Sequence, residues 1–404
     1  MSETRKPVWV WLPGNAEPVQ CGQFSLHDMV GSFEYLSDYR DRPDALALDP
    51  VQLPLTRAQR PFKEVRQGGL FGVLRDASPE GYGLSLLESI KGMSLHDPML
   101  RLELSEGDAV GAIEVCDDLD AKLQFTPPTS DQLLTALAAL PPERPGSQAA
   151  RDVKGLHGTS LGGERPKLTV LHEGQYWIAK LQDRGDPPHA PLREYLAMSC
   201  AQALGLDVAP VQFRQVGPRQ LVLVRRFDRH VDACGGVRRR LYASAHTLLR
   251  LDTSMRGDKA RSYVALAREL QRYCADAQTP VLTMQQELWC RMAFNVICGN
   301  GDDHPRNHGI VHVEGHWRLS PAFDIAPYIT YSGTQAMAIT RSGSSVASRA
   351  NLLSDSASFG LDRTQAEAFI DHAADQLPVL WQQKAQALGF EDHEVPAPQA
   401  SLWL

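Results

Sequence analysis

Two periodicities divide this chain. Up to about residue 245, apolar positions come mainly in short strand-like runs: "VWVWL" (8–12), "AVGAIEVC" (109–116), "LTVL" (168–171), "YWIAKL" (176–181) and "RQLVLVRRFDR" (219–229). Such runs, rich in valine, leucine and aromatics, predict strands. "HEGQ" between the third and fourth predicts a β-hairpin with a glycine-containing turn. Beyond residue 245 the spacing becomes helical, in "SYVALARELQRYC" (262–274) and "QELWCRMAFNVIC" (286–298). In the second of these, Leu288, Trp289, Met292, Ala293, Val296 and Ile297 form one face, and Gly299 ends the helix.

Both parts have exceptions. "RDASPEGYGLSLLESI" (75–90) predicts a turn and a short helix, with Ser78 and Pro79 as N-cap and first-turn residues. Asp131 to Leu140 predicts a helix inside a linker-like, proline-rich stretch, 125–152. "LREYLAMSCAQALGL" (192–206) predicts an amphipathic helix closed by Gly205. In the helical part, "GIVHV" and "HWRLS" predict a hairpin around Glu314-Gly315, and a last helix covers about 364–388. No internal repeat is present. These shifts divide the chain into 1–125, 126–245 and 246–404.

Bulk properties narrow the function classes. A chain of 404 residues is long enough for two or three domains. With 43% hydrophobic and 22% charged residues it is a folded protein. A net charge of −7 does not favour nucleic acid as the main ligand of this chain alone. No apolar run reaches the roughly 18 residues of a membrane helix, and "MSETRKPVWV" lacks the apolar core of a signal peptide. Seven scattered cysteines without a CxxC, three of them (Cys200, Cys290, Cys298) among apolar residues at helical spacing, predict buried free thiols in a reducing cytoplasm.

The densest chemistry lies in "NGDDHPRNHGI" (300–310). His304, His308, His312 and His316 recur every four residues, but Pro305, Gly309 and Gly315 break any helix that would align them. On a strand that spacing leaves them about 10 Å or more apart, so a zinc site is not expected. A metal-dependent nuclease on this His-rich loop is the alternative they leave. "GTSLG" (158–162) matches G-x-S-x-G, but neither a strand before it nor a helix after it is predicted, as a nucleophile elbow requires. A Walker A sequence is absent.

Phosphoryl transfer fits better. In order along the chain stand a Gly-rich stretch (155–163), Lys180 at a strand end, Glu194 on the following helix, Asp302 with Asn307 five residues on, and Asp324 beyond a hairpin. A kinase-like site needs these parts in this order. Glycine backbone can approach phosphate oxygens, and a lysine neutralises them while a glutamate aims it. Asn307 and Asp324 offer hard oxygens suited to Mg²⁺, and Asp302 can take a hydroxyl proton. Asp303 is a second candidate base, but the spacing to Asn307 favours Asp302 and leaves Asp303 to shape the turn.

"SLGGERPK", "VRRFDR", "FNVICGNGDDHPRNHGI" and "LSPAFDIAP", with "PEGYG" and "VGAIEV" before them, resemble the HipA family of serine/threonine kinases, the toxins of bacterial toxin–antitoxin pairs. The resemblance spans nearly the whole chain. It implies an α+β, two-lobed protein-kinase-like fold: a HipA-type N-terminal subdomain (1–125), a β-rich N-lobe (126–245) and an all-α C-lobe (246–404). It implies ATP and Mg²⁺ as cofactors, Asp302 as base, Asn307 and Asp324 as metal ligands, and Lys180 with Glu194 at the phosphates. Gly162, Gly163 and His304 also border the nucleotide in this reading, and Arg225 and Phe227 form the hinge beside adenine. Ser160 matches a regulatory serine whose phosphorylation would expel the Gly-rich loop. The implied substrate is an aminoacyl-tRNA synthetase or a similar translation protein, and the implied partner is a HipB-like helix-turn-helix antitoxin, through which DNA is met indirectly. Three departures stand out. Asn300-Gly301 replaces the usual kinase His-Arg, His304 stands at the +2 position where kinases often have lysine, and Arg225 stands where the family often has glutamate. A catalytically silent kinase-like subunit of an antitoxin–DNA complex is the other reading open at this point.

Overall fold

Val8 and Val10 are fully buried while Trp9 between them is only half-buried, the alternation of a strand with one face in a core. This first strand, Thr4–Val10 (β1), opens a five-stranded antiparallel sheet with Val19–His27 (β2), Val30–Tyr35 (β3), Phe62–Glu64 (β4) and Ile113–Val115 (β5), in the order β4-β3-β2-β1-β5. The computed structural model describes residues 4–56, 60–141, 163, 165–252, 259–275, 280–328 and 331–399. Two strand expectations shorten. The run at 8–12 leaves the ladder after Val10, just before Pro13, and the run at 109–116 pairs only from Ile113 because Gly111 turns the chain at φ 81. Helix α1 (Gly72–Asp76) leads to α2 (Gly81–Lys91). Gly81 has φ 55, so the chain is still turning past Ser78, and Glu80 rather than Ser78 occupies the cap position.

The second sheet holds Lys167–His172 (β6), Gln175–Leu181 (β7), Val211–Val216 (β8) and Arg219–Arg225 (β9), in the order β6-β7-β9-β8. Glu173 and Gly174, both at positive φ, make the tight turn expected between β6 and β7. Helix α3 (Ser130–Ala139), fixed by a Thr129–Gln132 capping box, lays Leu133 and Leu137 on one face of this sheet. Helix α4 (Ala190–Ala203) covers the other. It is buried nearly all round instead of along one stripe, because a C-terminal helix packs on its far side.

The hairpin Arg229–Val231 (β10) and Val237–Arg239 (β11) leads into the helical lobe. There Tyr242–Ser244 (β12), Gly309–Val313 (β13) and His316–Leu319 (β14) form a small sheet beside α5 (Ala245–Leu248), α6 (Tyr263–Tyr273), α7 (Val281–Cys298) and α8 (Arg363–Ala387). Helix α7 begins five residues before the expected 286, directly after Pro280. The N-terminal sheet does not stand apart: Val10, Phe24 and Phe71 share one buried cluster with Tyr263, Leu288 and Trp289. All seven cysteines are unbridged, and five are buried. Among the described residues no helix is long and apolar enough to cross a membrane.

Candidate active site

Strand β7 and helix α4 bring Lys180 and Glu194 together, because Lys180 lies on the sheet face that α4 covers. The Lys180 Nζ donates to Glu194 Oε1 at 2.6 Å and also to Asp324 Oδ1. Burial by itself would lower the lysine, but the Asp324 and Glu194 charges outweigh it and hold it above its ordinary value. Burial raises Glu194, partly offset by Lys180. For Asp324, burial pushes the carboxyl up, yet Lys180 and Lys167 hold it well below the usual carboxylate range. Its side chain stays 38% exposed. Asp324 also sits at φ 61, a conformation that costs a non-glycine residue roughly 1–2 kcal/mol and has to be held by its surroundings.

The loop after α7 separates its two carboxylates. Asp303 is 2% exposed. Its Oδ2 accepts from Asn295 Nδ2 at 2.7 Å and from the Tyr263 hydroxyl, and lies 2.7 Å from His308 Nε2. Its side chain anchors the loop. Asp302 is exposed and accepts a long bond, 3.4 Å, from the Tyr328 hydroxyl. Asn307 closes the one-turn helix Pro305–Asn307 and is 7% exposed. His304 is half-buried and close enough to Asp324 for its charge to help lower that carboxyl. The four spaced histidines diverge: His308 goes to Asp303, His312 packs edge-on against Trp317 and His316 lies on β14. No group of three or more His, Cys, Asp or Glu placed to hold a metal occurs among the described residues.

Hard oxygens still fit a divalent ion here. The Asp324 carboxyl is kept ionised and partly open, and Asn307 lies in the same lobe, in the loop after α7. Of the Gly-rich stretch only Gly163 is described; Ser160, Gly162 and the "GTSLG" match lie outside the described residues. Gly163 has φ 97, and a Cβ there would strike the Lys167 side chain.

At the hinge, Phe227 lies 5.4 Å ring to ring from Phe323, next to Asp324. The Arg225 side chain takes the opposite direction. Val222 and Val224 share the Lys180 face of β9, so Arg225, exposed at the strand end, projects from the other. Only its backbone is left to serve the cleft. Asp228 pairs mainly with Arg226, in a two-pronged contact at 2.6 and 2.9 Å, with Arg229 at 3.6 Å. The Arg238–Arg240 run is not a free basic patch. Arg239 is buried against Glu114 at 2.9 Å and over the Trp11 ring, Arg238 pairs with Asp232, and Arg240 donates to the Phe227 carbonyl.

Several residues at the site escaped the sequence reading. Lys167 stands opposite Lys180 in the hairpin, and burial followed by the Lys180 charge brings its pKa down to about 8. The two-residue turn sets that register, so counting back from Glu173-Gly174 would have found it. Tyr328 and the Tyr263–Asn295–His308 set around Asp303 carry no local signal. Glu80 holds both outer nitrogens of Arg306, inside the loop between Asp302 and Asn307, and the backbone N–H of Tyr82 donates to the Gly163 carbonyl at 2.9 Å. The first turn of α2 thus touches both loops of the cleft.

Residues 159–381 match the HipA-like C-terminal domain and residues 10–116 the HipA N-terminal domain. The chain belongs to the HipA family. HipA of Shewanella oneidensis MR-1, solved with HipB and operator DNA, superposes with a TM-score of 0.70 over 98% of this chain and 94% of that one, at 17% identity. The fold is therefore the two-lobed, kinase-like fold of HipA. Among curated HipA relatives, Y4mE of Sinorhizobium fredii, whose name describes a candidate kinase, is 26% identical over 346 residues, 80% of this chain and 77% of that protein. The serine/threonine-protein kinase toxin HipA of Shewanella oneidensis is 24% identical over 288 residues, 65% of this chain and 64% of that protein. Every candidate site residue falls within the part that matches the HipA C-terminal domain.

Proposed function

We propose that this HipA-family protein is an ATP- and Mg²⁺-dependent serine/threonine protein kinase that acts as a growth-arresting toxin in the cytoplasm. The observation that carries the reading is Lys180 held between Glu194 and Asp324, across the gap from β7 to the segment after β14. Lys180 and Lys167 bind the nucleotide phosphates, Glu194 orients Lys180, and Gly163 lets backbone approach them. Phe227 and the backbone at Arg225 border adenine, and His304 stands beside the phosphate end. Asn307 and Asp324 hold Mg²⁺, which when bound offsets charge on the phosphates. Asp302 accepts the proton of a substrate hydroxyl. The hydroxyl oxygen forms its bond to the γ-phosphorus as the bond to the bridging oxygen breaks, and ADP leaves.

The protein substrate in this proposal is an aminoacyl-tRNA synthetase or a similar translation protein, and the partner is a HipB-like antitoxin that carries the DNA contact. Ser160 is the self-inactivating phosphorylation site. The division into 1–125, 126–245 and 246–404 belongs to the same proposal. The test is labelling with γ-phosphate-labelled ATP and Mg²⁺ in cell lysate. Wild type should label a protein band and Ser160, and folded Lys180→Ala and Asp302→Asn should label neither. Nucleotide binding without any transfer would instead make the chain a silent kinase-like subunit.

A further inference from the structure

Behind the hinge lies a cavity of about 360 Å³, walled by Gln175, Pro210, Arg225, Phe227, His230 and Arg240. Lys180, Glu194, Asp302, Asn307 and Asp324 do not line it, and among the described residues neither does any aspartate or glutamate. Strand alternation explains where it opens. Lys180, Val222 and Val224 share the cleft face, so the next side chain, Arg225, faces away from it. The hairpin β10–β11 then folds back alongside and delivers His230 and Arg240 to the same hollow.

Among the described residues neither Arg225 nor Arg240 forms a salt bridge, although Asp228 and Glu314 lie near enough to Arg240 to act on its charge. Arg226 and Arg229 also border the cavity, but they share Asp228 and bond to backbone carbonyls. Arg225 is exposed, and Arg240 is half-buried and donates one nitrogen to the Phe227 carbonyl at 2.9 Å. The His230 Nδ1 is buried without a hydrogen-bond partner. Asp232, two residues after His230, is taken by Arg238 at 2.6 Å and by the backbone N–H groups of Cys234 and Gly236. Burial, followed by the neighbouring Arg240, lowers His230, against an opposing pull from Asp232.

We infer that this cavity is a binding site for a phosphate monoester, separate from the nucleotide cleft. Two guanidinium groups and an imidazole can together meet three phosphoryl oxygens, and planar guanidinium suits such oxygens well. Pro210 and Phe227 supply a small apolar wall for the group that carries the phosphate. Because Arg225 and Phe227 belong to the proposed hinge and Arg240 bonds to the Phe227 carbonyl, a bound anion would stiffen the joint between the lobes.

Calorimetric titration of the full chain with inorganic phosphate, O-phosphoserine and ribose 5-phosphate tests this. Saturable binding should appear that weakens with added salt and persists in Lys180→Ala and in saturating ATP. Arg225→Glu and Arg240→Ala, each checked for an unchanged melting temperature, should weaken it by roughly tenfold or more. Arg240→Lys keeps the charge should Arg240→Ala fail to fold, and should retain part of the affinity. Tighter binding of phosphoserine identifies a phosphorylated side chain as the source of the ester, and tighter binding of the sugar phosphate a metabolite. Absence of saturable binding, indifference to both arginine changes, or competition by ATP would each overturn the site. None of these depends on whether Lys180 and Asp302 transfer phosphate.

Discussion

Two buried ionic clusters lie close together in this molecule, and they differ in what they leave unfinished. Behind the hinge, Asp228 is gripped by Arg226 and also accepts the Gly111 N–H, while Arg226 and Arg229 also donate to carbonyls of Gly107, Asp108 and Ala109. These backbone contacts tie residues 226–229 to residues 107–111. In the cleft, Lys180 is shared by Glu194 and Asp324, but Asp324 keeps 38% of its side chain open, and Lys167 stands opposite Lys180 in the hairpin. Both clusters are costly to desolvate. The closed one acts as a rivet, and the open one retains capacity for a ligand.

Four changes test that contrast. Asp228→Asn removes the one carboxylate between two buried guanidinium groups and should cost about 3–5 kcal/mol of unfolding free energy in denaturant titration. Asp324→Asn leaves Lys180 paired with Glu194. Its stability loss should stay below about 1 kcal/mol because the site is partly screened, while phosphate transfer falls at least about a hundredfold. Equal destabilisation by the two substitutions would erase the distinction between the clusters.

Glu80→Ala should lower turnover several-fold, on the order of 1 kcal/mol in barrier, with little change in melting temperature, since the Glu80–Arg306 pair is partly exposed, at 28% and 40%. The exchanged pair Glu80→Arg with Arg306→Glu should restore part of that turnover, an outcome that simple loss of a surface bridge does not produce. The smallest effect is on pH. Lys167, lowered to about 8, is charged below that pH and neutral above it. ATP affinity should therefore decline by roughly two- to threefold between pH 7 and 9, and Lys167→Met should flatten the decline. For stability the sign reverses. The unfolded lysine holds its proton more tightly, so this residue's penalty is present below pH 8 and fades as pH rises towards the ordinary lysine value.

Much of the fold was legible because its signals are local. The β6–β7 and β13–β14 turns, the capping box of α3 and the glycine stop of α7 each lie within a few residues of the element they define. The candidate site was legible as an ordered set, with Lys180, Glu194 and Asp324 meeting although they lie far apart in sequence. What was not legible depends on context. Three consecutive arginines carry no local signal of burial, yet Arg239 is buried because Glu114 and Trp11, more than a hundred residues earlier, provide its pocket. Asp302 and Asp303 are chemically identical neighbours, and only the packing of α6 and α7 buries the second.

By itself, then, the sequence determined the elements, their order and the residue types able to handle a nucleotide, since hydrophobic period, turn chemistry and motif spacing act over short stretches. Tertiary structure decided which carboxylate stays in water, which arginines become rivets and which face a cavity, and that α2 of the N-terminal subdomain touches both cleft loops. Those outcomes depend on desolvation and on charge partners brought from distant segments, and neither exists until the chain has folded.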